Sequence, residues 1–405
     1  MASNSFLYCM LMKKLLLPLG LCALSLIACY SPDPFNAEYS GDDSKTGDVS
    51  AVGKIYPLNG GLQTCNPSVS QDTVNFPASM LWLNFAKIEV KKSDGSFAVE
   101  QVPVHDRLTV TDTTKEVKWS LVLDFSKGEC EFQDPEWSTH ADFIVALLGS
   151  DIDGGKSCID KNYGIFAVRT SDKKKFWFFE KDIISEATPH VWVDPLAKAE
   201  KDGDDSTVKG FFGTDNVRLT YVDGTESHPL NIVFIDYANG GKKKAVKLKK
   251  PEDRSDWEID SPLISPDGKF VVYNMKKSGT WEAYVQELSA SSNAIKIERT
   301  KDMMSEPAQP HWFEFGGRLF VLWTEFPGSQ MQNRSDLTDA SVQDGSMGRT
   351  VMREIRLTSG APADIAVEWV GENRVVASIP MMGGRSPDGK FLATGTDKAY
   401  LLKLP

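Results

Sequence analysis

Across residues 261–299 the apolar and polar positions change pattern at short, regular intervals, and each change falls on turn-forming residues. In Ser265-Pro266-Asp267-Gly268-Lys269-Phe270, proline fixes φ at the first turn position, aspartate bonds back to its own backbone, and glycine takes the left-handed position. The run Phe270-Val271-Val272-Tyr273 is apolar throughout, β-branched and aromatic, which predicts a strand buried on both faces. Lys276-Lys277-Ser278-Gly279 turns the chain, residues 281–288 make a third strand, and residues 289–293 turn it again. Ile295 and Ile297 then alternate with Lys296 and Glu298 in a fourth, half-exposed strand. The stretch therefore predicts a four-stranded antiparallel meander.

The same pattern recurs along the chain. Residues 135–145 align without gaps on residues 262–272, and Arg385-Ser386-Pro387-Asp388-Gly389-Lys390-Phe391 keeps the whole turn. Pro310-His311-Trp312-Phe313, followed by Gly316-Gly317 and an apolar run, keeps the pattern without the Ser-Pro-Asp. Pro189-His190-Val191-Trp192 is separated by a long insertion from its next strand at residues 217–221. These five copies each supply one meander, and residues 65–130 offer strand-like runs at 80–90, 97–104, 108–110 and 117–125 for a sixth. The last copy runs out at residues 401–405 one strand short. Residues 52–57 are expected to add that strand, since a ring of meanders must leave few edges exposed.

Ser-Pro-Asp-Gly-Lys-Phe, then an apolar strand, a glycine-containing turn and an aromatic-rich strand such as Trp281-Glu282-Ala283-Tyr284-Val285, resembles the blade repeat of TolB-type β-propellers. The resemblance covers about residues 130–405, and the α/β N-terminal domain of TolB has no counterpart here. It implies an all-β fold: a β-propeller of six four-stranded blades over residues 51–405, closed by the N-terminal strand.

A composition of 41% apolar and 25% charged residues in 405 positions is that of a globular chain with a sizeable core. The N-terminus differs. Met12-Lys13-Lys14 and the apolar run 15–28 have the form of a secretory signal, too short for a comfortable membrane span. The ending Leu26-Ile27-Ala28-Cys29 resembles the lipobox of bacterial lipoproteins, which implies cleavage before Cys29 and lipidation of that cysteine. Tyr30 stands where an aspartate would signal inner-membrane retention. The expectation is an outer-membrane lipoprotein facing the periplasm or the cell surface. Residues 29–50, rich in Ser, Pro, Gly and Asp, read as a flexible acidic tether. Removal of residues 1–28 takes away Lys13 and Lys14 and no acid, so the net charge moves from −11 to −13. That charge disfavours nucleic acid as a partner.

Cys65, Cys130 and Cys158 remain after lipidation, and in an oxidising compartment two of them are expected to pair. The chosen pair is Cys130 with Cys158, which bracket the segment beginning at Pro135. No pair has C-x-x-C spacing, so no metal site of these cysteines is expected. No G-x-S-x-G elbow, Walker A motif, Rossmann glycine pattern or H-E-x-x-H is present.

His190 and His311 hold the same repeat position, just after the proline opening an innermost, channel-lining strand, where the other copies have Glu136, Leu263 and Gly384. Gln309-Pro310-His311 faintly resembles the metal ligands of oligogalacturonate lyases, propellers of related repeat type, although those enzymes cluster more histidines. The bland reading places these histidines at strand starts or against the channel wall. The tryptophans at repeat-equivalent positions, Trp137, Trp281, Trp312 and Trp323, read as inter-blade core, and Trp192 and Trp257 as the candidates for a ligand-facing surface. The run Asp202-Gly203-Asp204-Asp205 resembles part of a calcium loop but lacks its later spacing and reads as a solvated insertion. Together these features lead to a membrane-anchored, non-enzymatic binding or scaffold module with no cofactor, whose partner is an envelope protein or an extracellular polysaccharide. The alternative is a metal-dependent carbohydrate-active enzyme of the oligogalacturonate-lyase type, its metal held by His190, His311 and Gln309.

Overall fold

The chain folds into six four-stranded antiparallel sheets arranged as blades, plus one two-stranded hairpin. The structure, a computed structural model, describes residues 53–152, 158–198, 203–225, 228–238, 244–251, 258–277, 280–326, 348–395 and 398–405. The signal segment, the tether, Cys29 and Trp257 lie outside the described residues.

Strand β1 (Lys54–Pro57) comes first in the chain and is used last in the fold. The first blade consists of β2 (Thr64–Val69), β3 (Ser79–Asn84), β6 (Arg107–Asp112) and β7 (Val117–Val122), with the hairpin β4 (Lys87–Lys91) and β5 (Phe97–Gln101) rising between its second and third strands. This corrects the strand reading of residues 80–90 and 97–104. The first run breaks after Asn84, and the second belongs to the extra hairpin. The innermost strand is β2, whose polar, proline-containing sequence TCNPSV hides it from a hydrophobicity scan.

The second blade is β8 (Glu129–Trp137), β9 (Phe143–Asp151), β10 (Lys161–Arg169) and β11 (Lys175–Ile183), and the third is β12 (His190–Val193), β13 (Val217–Thr225), β14 (His228–Asp236) and β15 (Val246–Lys247). The fourth blade, the meander first read in the sequence, is β16 (Glu258–Ile264), β17 (Phe270–Lys277), β18 (Thr280–Glu287) and β19 (Ile295–Lys296). The fifth is β20 (Ala308–Phe315), β21 (Arg318–Glu325), β22 (Arg349–Leu357) and β23 (Val367–Ala377). The sixth has only β24 (Met381–Arg385), β25 (Phe391–Gly395) and β26 (Ala399–Lys403) from the C-terminal end, and β1 pairs antiparallel with β26 to complete it. The ring closes as expected from the sequence.

Why the strands are apolar on both sides follows from this layout. Phe270 and Val272 of β17 point into a core shared with the fifth blade, while Val271 and Tyr273 point into one shared with the third. A middle strand of a propeller blade packs on a neighbour on each face, so the period-2 alternation disappears. Trp137 and Trp323 are buried in such inter-blade cores. The Cys130–Cys158 disulfide, with Cα atoms 5.5 Å apart, ties the start of β8 to the β9–β10 connection. In the insertion before β13, the short helix Val208–Phe212, capped by the Thr207 hydroxyl, drives Phe211 and Phe212 into the core between the second and third blades.

Candidate functional site

The innermost strands β2, β8, β12, β16, β20 and β24 surround a central channel, and one local distortion repeats around it. In β2, β8, β16 and β20 the pairing register slips by a bulge, and the residue at the slip is followed by proline. Asn66, Asp134, Ser261 and Gln309, with Thr188 just ahead of β12, all have φ between 39° and 52°, in the left-handed region. Proline suits the next position because it brings no N–H that the slipped ladder would leave unpaired. Strained backbone of this kind persists only where neighbours fix it, and here they do. Asn66 Nδ2 donates to Asp134 Oδ1 (2.6 Å), the Thr188 N–H to Asp134 Oδ2 (3.3 Å), the Ser261 N–H to Thr188 Oγ1 (3.1 Å) and the Gln309 N–H to Asn274 Oδ1 (2.6 Å).

The residue after each proline forms a second tier: Ser68, Glu136, His190, Leu263 and His311, with Gly384 at the same place in β24. Ser68 and His190 are bound to the next blade. Ser68 Oγ donates to Glu136 Oε1 (2.5 Å) and accepts the Trp137 N–H (3.0 Å), and His190 Nδ1 accepts the Ile264 N–H (3.0 Å). His311 Nδ1 donates to the Gln309 carbonyl at 3.1 Å. The structure thus brings Glu136, His190 and His311 together, as their repeat position implied. Gln309 meets His311 through its backbone carbonyl. Among the described residues no group of three or more His, Cys, Asp or Glu side chains is gathered to hold a metal.

The second tier stands between two cavities. One, of about 330 Å3, is bordered by the first tier and by Asp134, Glu186, Asp260 and Gln309. The other, of about 540 Å3, lies on the side of the Ser-Pro-Asp-Gly turns and is lined by Glu136, His140, His190, His311 and Arg385, with Trp312, Phe313 and Phe315 as its apolar wall. Arg385 was not singled out from the sequence. It follows Gly384 in the copy that keeps the full turn, so the repeat alignment places it beside the channel, but the alignment gives no sign that it is buried.

Two candidates fare differently. Trp192, expected on a ligand-facing surface, is only 5% exposed. Its Nε1 donates to the Pro266 carbonyl (2.7 Å), and its ring lies under the Arg218 guanidinium, so it clamps the turn of the next blade. The acidic insertion is likewise structural. Asp205 pairs with Arg169 (3.0 Å), and Asp204 accepts from the Ser206 N–H (3.0 Å).

Enclosure sets the charge state of the channel. Burial pushes Glu136 up to about 8, and burial, with repulsion from Asp260 and Glu186, does the same to Asp134. Asp260 is raised by burial as well. His190 is pushed down to about 3 by burial and by neighbouring His311, and His311 to about 4 by burial. Glu136 and Asp134 are half-buried, each keeping some surface toward the cavities.

A pH dependence follows with a definite sign. The folded state holds protons on Asp134 and Glu136 that an unfolded carboxyl releases near pH 4, so their effect lowers stability as pH rises toward 8. The histidines, depressed in the fold, lower stability as pH falls below about 6.5, and the two effects oppose each other in between. Above about pH 6.5 only the carboxyls remain, so stability is expected to decline from there to about pH 8 by on the order of 1 kcal/mol per carboxyl. Thermal unfolding across that window checks it: Glu136→Gln should flatten the decline, and a wild-type midpoint that holds or rises would refute it.

No protein-family model matches the sequence, and no curated protein matches it. Solved structures similar to it include a TolB candidate from Agrobacterium tumefaciens, 13% identical over 87% of this chain and 97% of that one, with a TM-score of 0.41. An oligogalacturonate lyase in complex with manganese is 10% identical over 88% of this chain and 98% of that one, with a TM-score of 0.38. A thermostable family-43 glycoside hydrolase is 13% identical over 82% of this chain and 99% of that one, with a TM-score of 0.40. These likenesses concern the fold alone, and the blade count stands on the strand pairing itself. The chain is a six-bladed β-propeller closed by its N-terminal strand.

Proposed function

We propose that the protein is a non-enzymatic binding propeller, tethered through lipid on Cys29 to the bacterial outer membrane, and that it takes up part of an envelope protein or an extracellular glycan at the 540 Å3 cavity. The observation that carries this reading is the contrast at the channel mouth. A roomy cavity with aromatic walls lies beside polar side chains that are already committed to hydrogen bonds, Ser68, Glu136 and His190 to neighbouring blades and His311 within its own strand. For His190 to serve as a metal ligand through Nδ1 it must give up the Ile264 N–H, which would leave a buried donor unpaired at a cost of about 1–3 kcal/mol. Among the described residues no helix is long and apolar enough to cross a membrane, and the anchoring assigned here rests on the Cys29 motif.

Two experiments test the reading. Cys29→Ala should move the protein from the membrane to the soluble fraction, and failure of the wild type to take up a palmitate label would overturn the anchor. Capture from solubilised envelopes and on a glycan array should return a partner whose binding is weakened by Phe315→Arg at the cavity wall. Repeated capture of nothing, or of partners indifferent to that change, would overturn the binding role.

A further inference from the structure

Arg385, the last residue of β24, lines the larger cavity and is only 8% exposed. Its Nε and Nη2 both donate to the Gly389 carbonyl (2.8 and 2.5 Å), and its Nη1 reaches only the Met352 sulfur, at 3.8 Å. The guanidinium stands 4.5 Å from the centroid of the Phe313 ring. With one N–H of each nitrogen engaged, a further N–H remains on Nη1 and on Nη2. Among the described residues no carboxylate forms an ion pair with it, whereas Arg169, Arg318 and Arg349 are each paired with an acid. Asp388, the acid that acts on it from the following turn, accepts instead from the Ser386 hydroxyl and the Lys390 N–H. Burial pulls the guanidinium down to about 10, with Asp388 acting in the opposite direction. A cation held this far from water without a counter-ion is costly to the fold, and such a group is ordinarily matched by something of opposite charge.

We propose that Arg385 anchors a subsite for a carboxylate monoanion in this cavity, supplied by a free organic acid or by a chain-terminal carboxyl. The proposal rests on the binding role above and names the chemistry recognised there. A guanidinium fork matches the planar carboxylate by two parallel hydrogen bonds. The cavity favours one negative charge over two, because among the described residues that line it Arg385 is the one full cation while Glu314 is exposed at its edge. His190 and His311, neutral at pH 7, add no charge, and Trp312, Phe313 and Phe315 offer apolar faces to the body of the acid.

The test is calorimetric titration of the full-length protein with matched pairs: glucuronate against its methyl ester, and the peptide acetyl-Gly-Gly-Phe against its C-terminal amide, with inorganic phosphate alongside. At least one free acid should bind the wild type ten- to a hundred-fold more tightly than its neutral partner. Which pair responds separates a free acid from a chain end. Arg385→Gln should abolish that difference, and Arg385→Lys should keep part of it. Equal binding of acid and neutral forms overturns the proposal without recourse to any variant, as does failure of all acids to bind, or tightest binding by phosphate. If envelope capture survives in Arg385→Gln while no acid binds the wild type, the anion subsite fails and the binding role stands. Loss of both fells both.

Discussion

Gly268→Val is expected to destabilise the fold by about 2–6 kcal/mol, and Gly389→Val by about 1–3 kcal/mol, although the two glycines hold the same turn position with the same φ of 74°. The shared part is backbone strain, roughly 1–3 kcal/mol for a side chain forced into the left-handed region. The difference lies in what surrounds them. A Cβ on Gly268 would stand 2.7 Å from both the Trp192 ring and Arg218 Nη1, whereas on Gly389 the nearest atoms are 3.3 Å and 3.4 Å away. Arg218 Nη1 also donates to the Gly268 carbonyl (2.5 Å), so the turn is held by Trp192 and Arg218 together and has little room to yield. Forcing volume into such a contact adds about 1–3 kcal/mol. Denaturant unfolding of the two variants side by side decides it, and equal losses would mean that Trp192 does not clamp the turn. Trp192→Phe, which keeps most of the ring and removes the bond to the Pro266 carbonyl, should cost about 1 kcal/mol beyond its lost volume.

Sequence made the blades legible because their signals are local. The Ser-Pro-Asp-Gly turn is written in consecutive residues, and the all-apolar run at 270–273 reports burial on both faces without reference to any partner. The missing strand of the last blade was legible for a topological reason, since a ring one strand short needs one from the other terminus. The first blade was harder. Its innermost strand is polar, and the β4–β5 hairpin interrupts its strands with a run of the right composition in the wrong sheet. Of the candidate site, the repeat alignment correctly put Glu136, His190 and His311 at one level of the channel. It gave no account of which nitrogen or oxygen was already bonded, because those partners sit one blade away, 68 residues on for Ser68 and 74 for His190. Trp192 was misplaced for the same reason: its partner, the turn of the next blade, lies 74 residues further along. Arg385 went unnoticed because the signal that distinguishes it is the lack of a carboxylate, which no sequence pattern displays.

Gly383→Ala is the substitution expected to do most damage for its size, because it strikes the seam where the ring closes. The N-terminal and C-terminal parts of the chain are joined at two radii. On the outside β1 pairs with β26, setting Ile55 opposite Leu402 and Tyr56 opposite Leu401. On the inside Gly383 of β24 lies against the bulge of β2, so closely that a Cβ there would stand 1.9 Å from the Pro67 carbonyl oxygen and 3.0 Å from Ala393 Cβ. Proline at 67 and the bulge around it fix that carbonyl, and it cannot swing aside as a long side chain would. The two blades must separate instead. That strains the nearby seam contacts, the Ala399 N–H on Thr64 Oγ1 (2.7 Å) and the Leu58 N–H on the Ala399 carbonyl (3.0 Å), and admits water to the core around Trp82 and Leu401. A loss of about 3 kcal/mol or more is expected, at the upper end for a single methyl group. Gly384→Ala is the control. Its backbone strain is genuine at φ 81°, but the nearest atom is His311 Cδ2 at 3.1 Å, part of a side chain that can shift, so its loss should be smaller. Thermal midpoints and soluble yield of the two variants order them, and a Gly383→Ala protein as stable as Gly384→Ala would mean that the inner seam does not hold the ring shut.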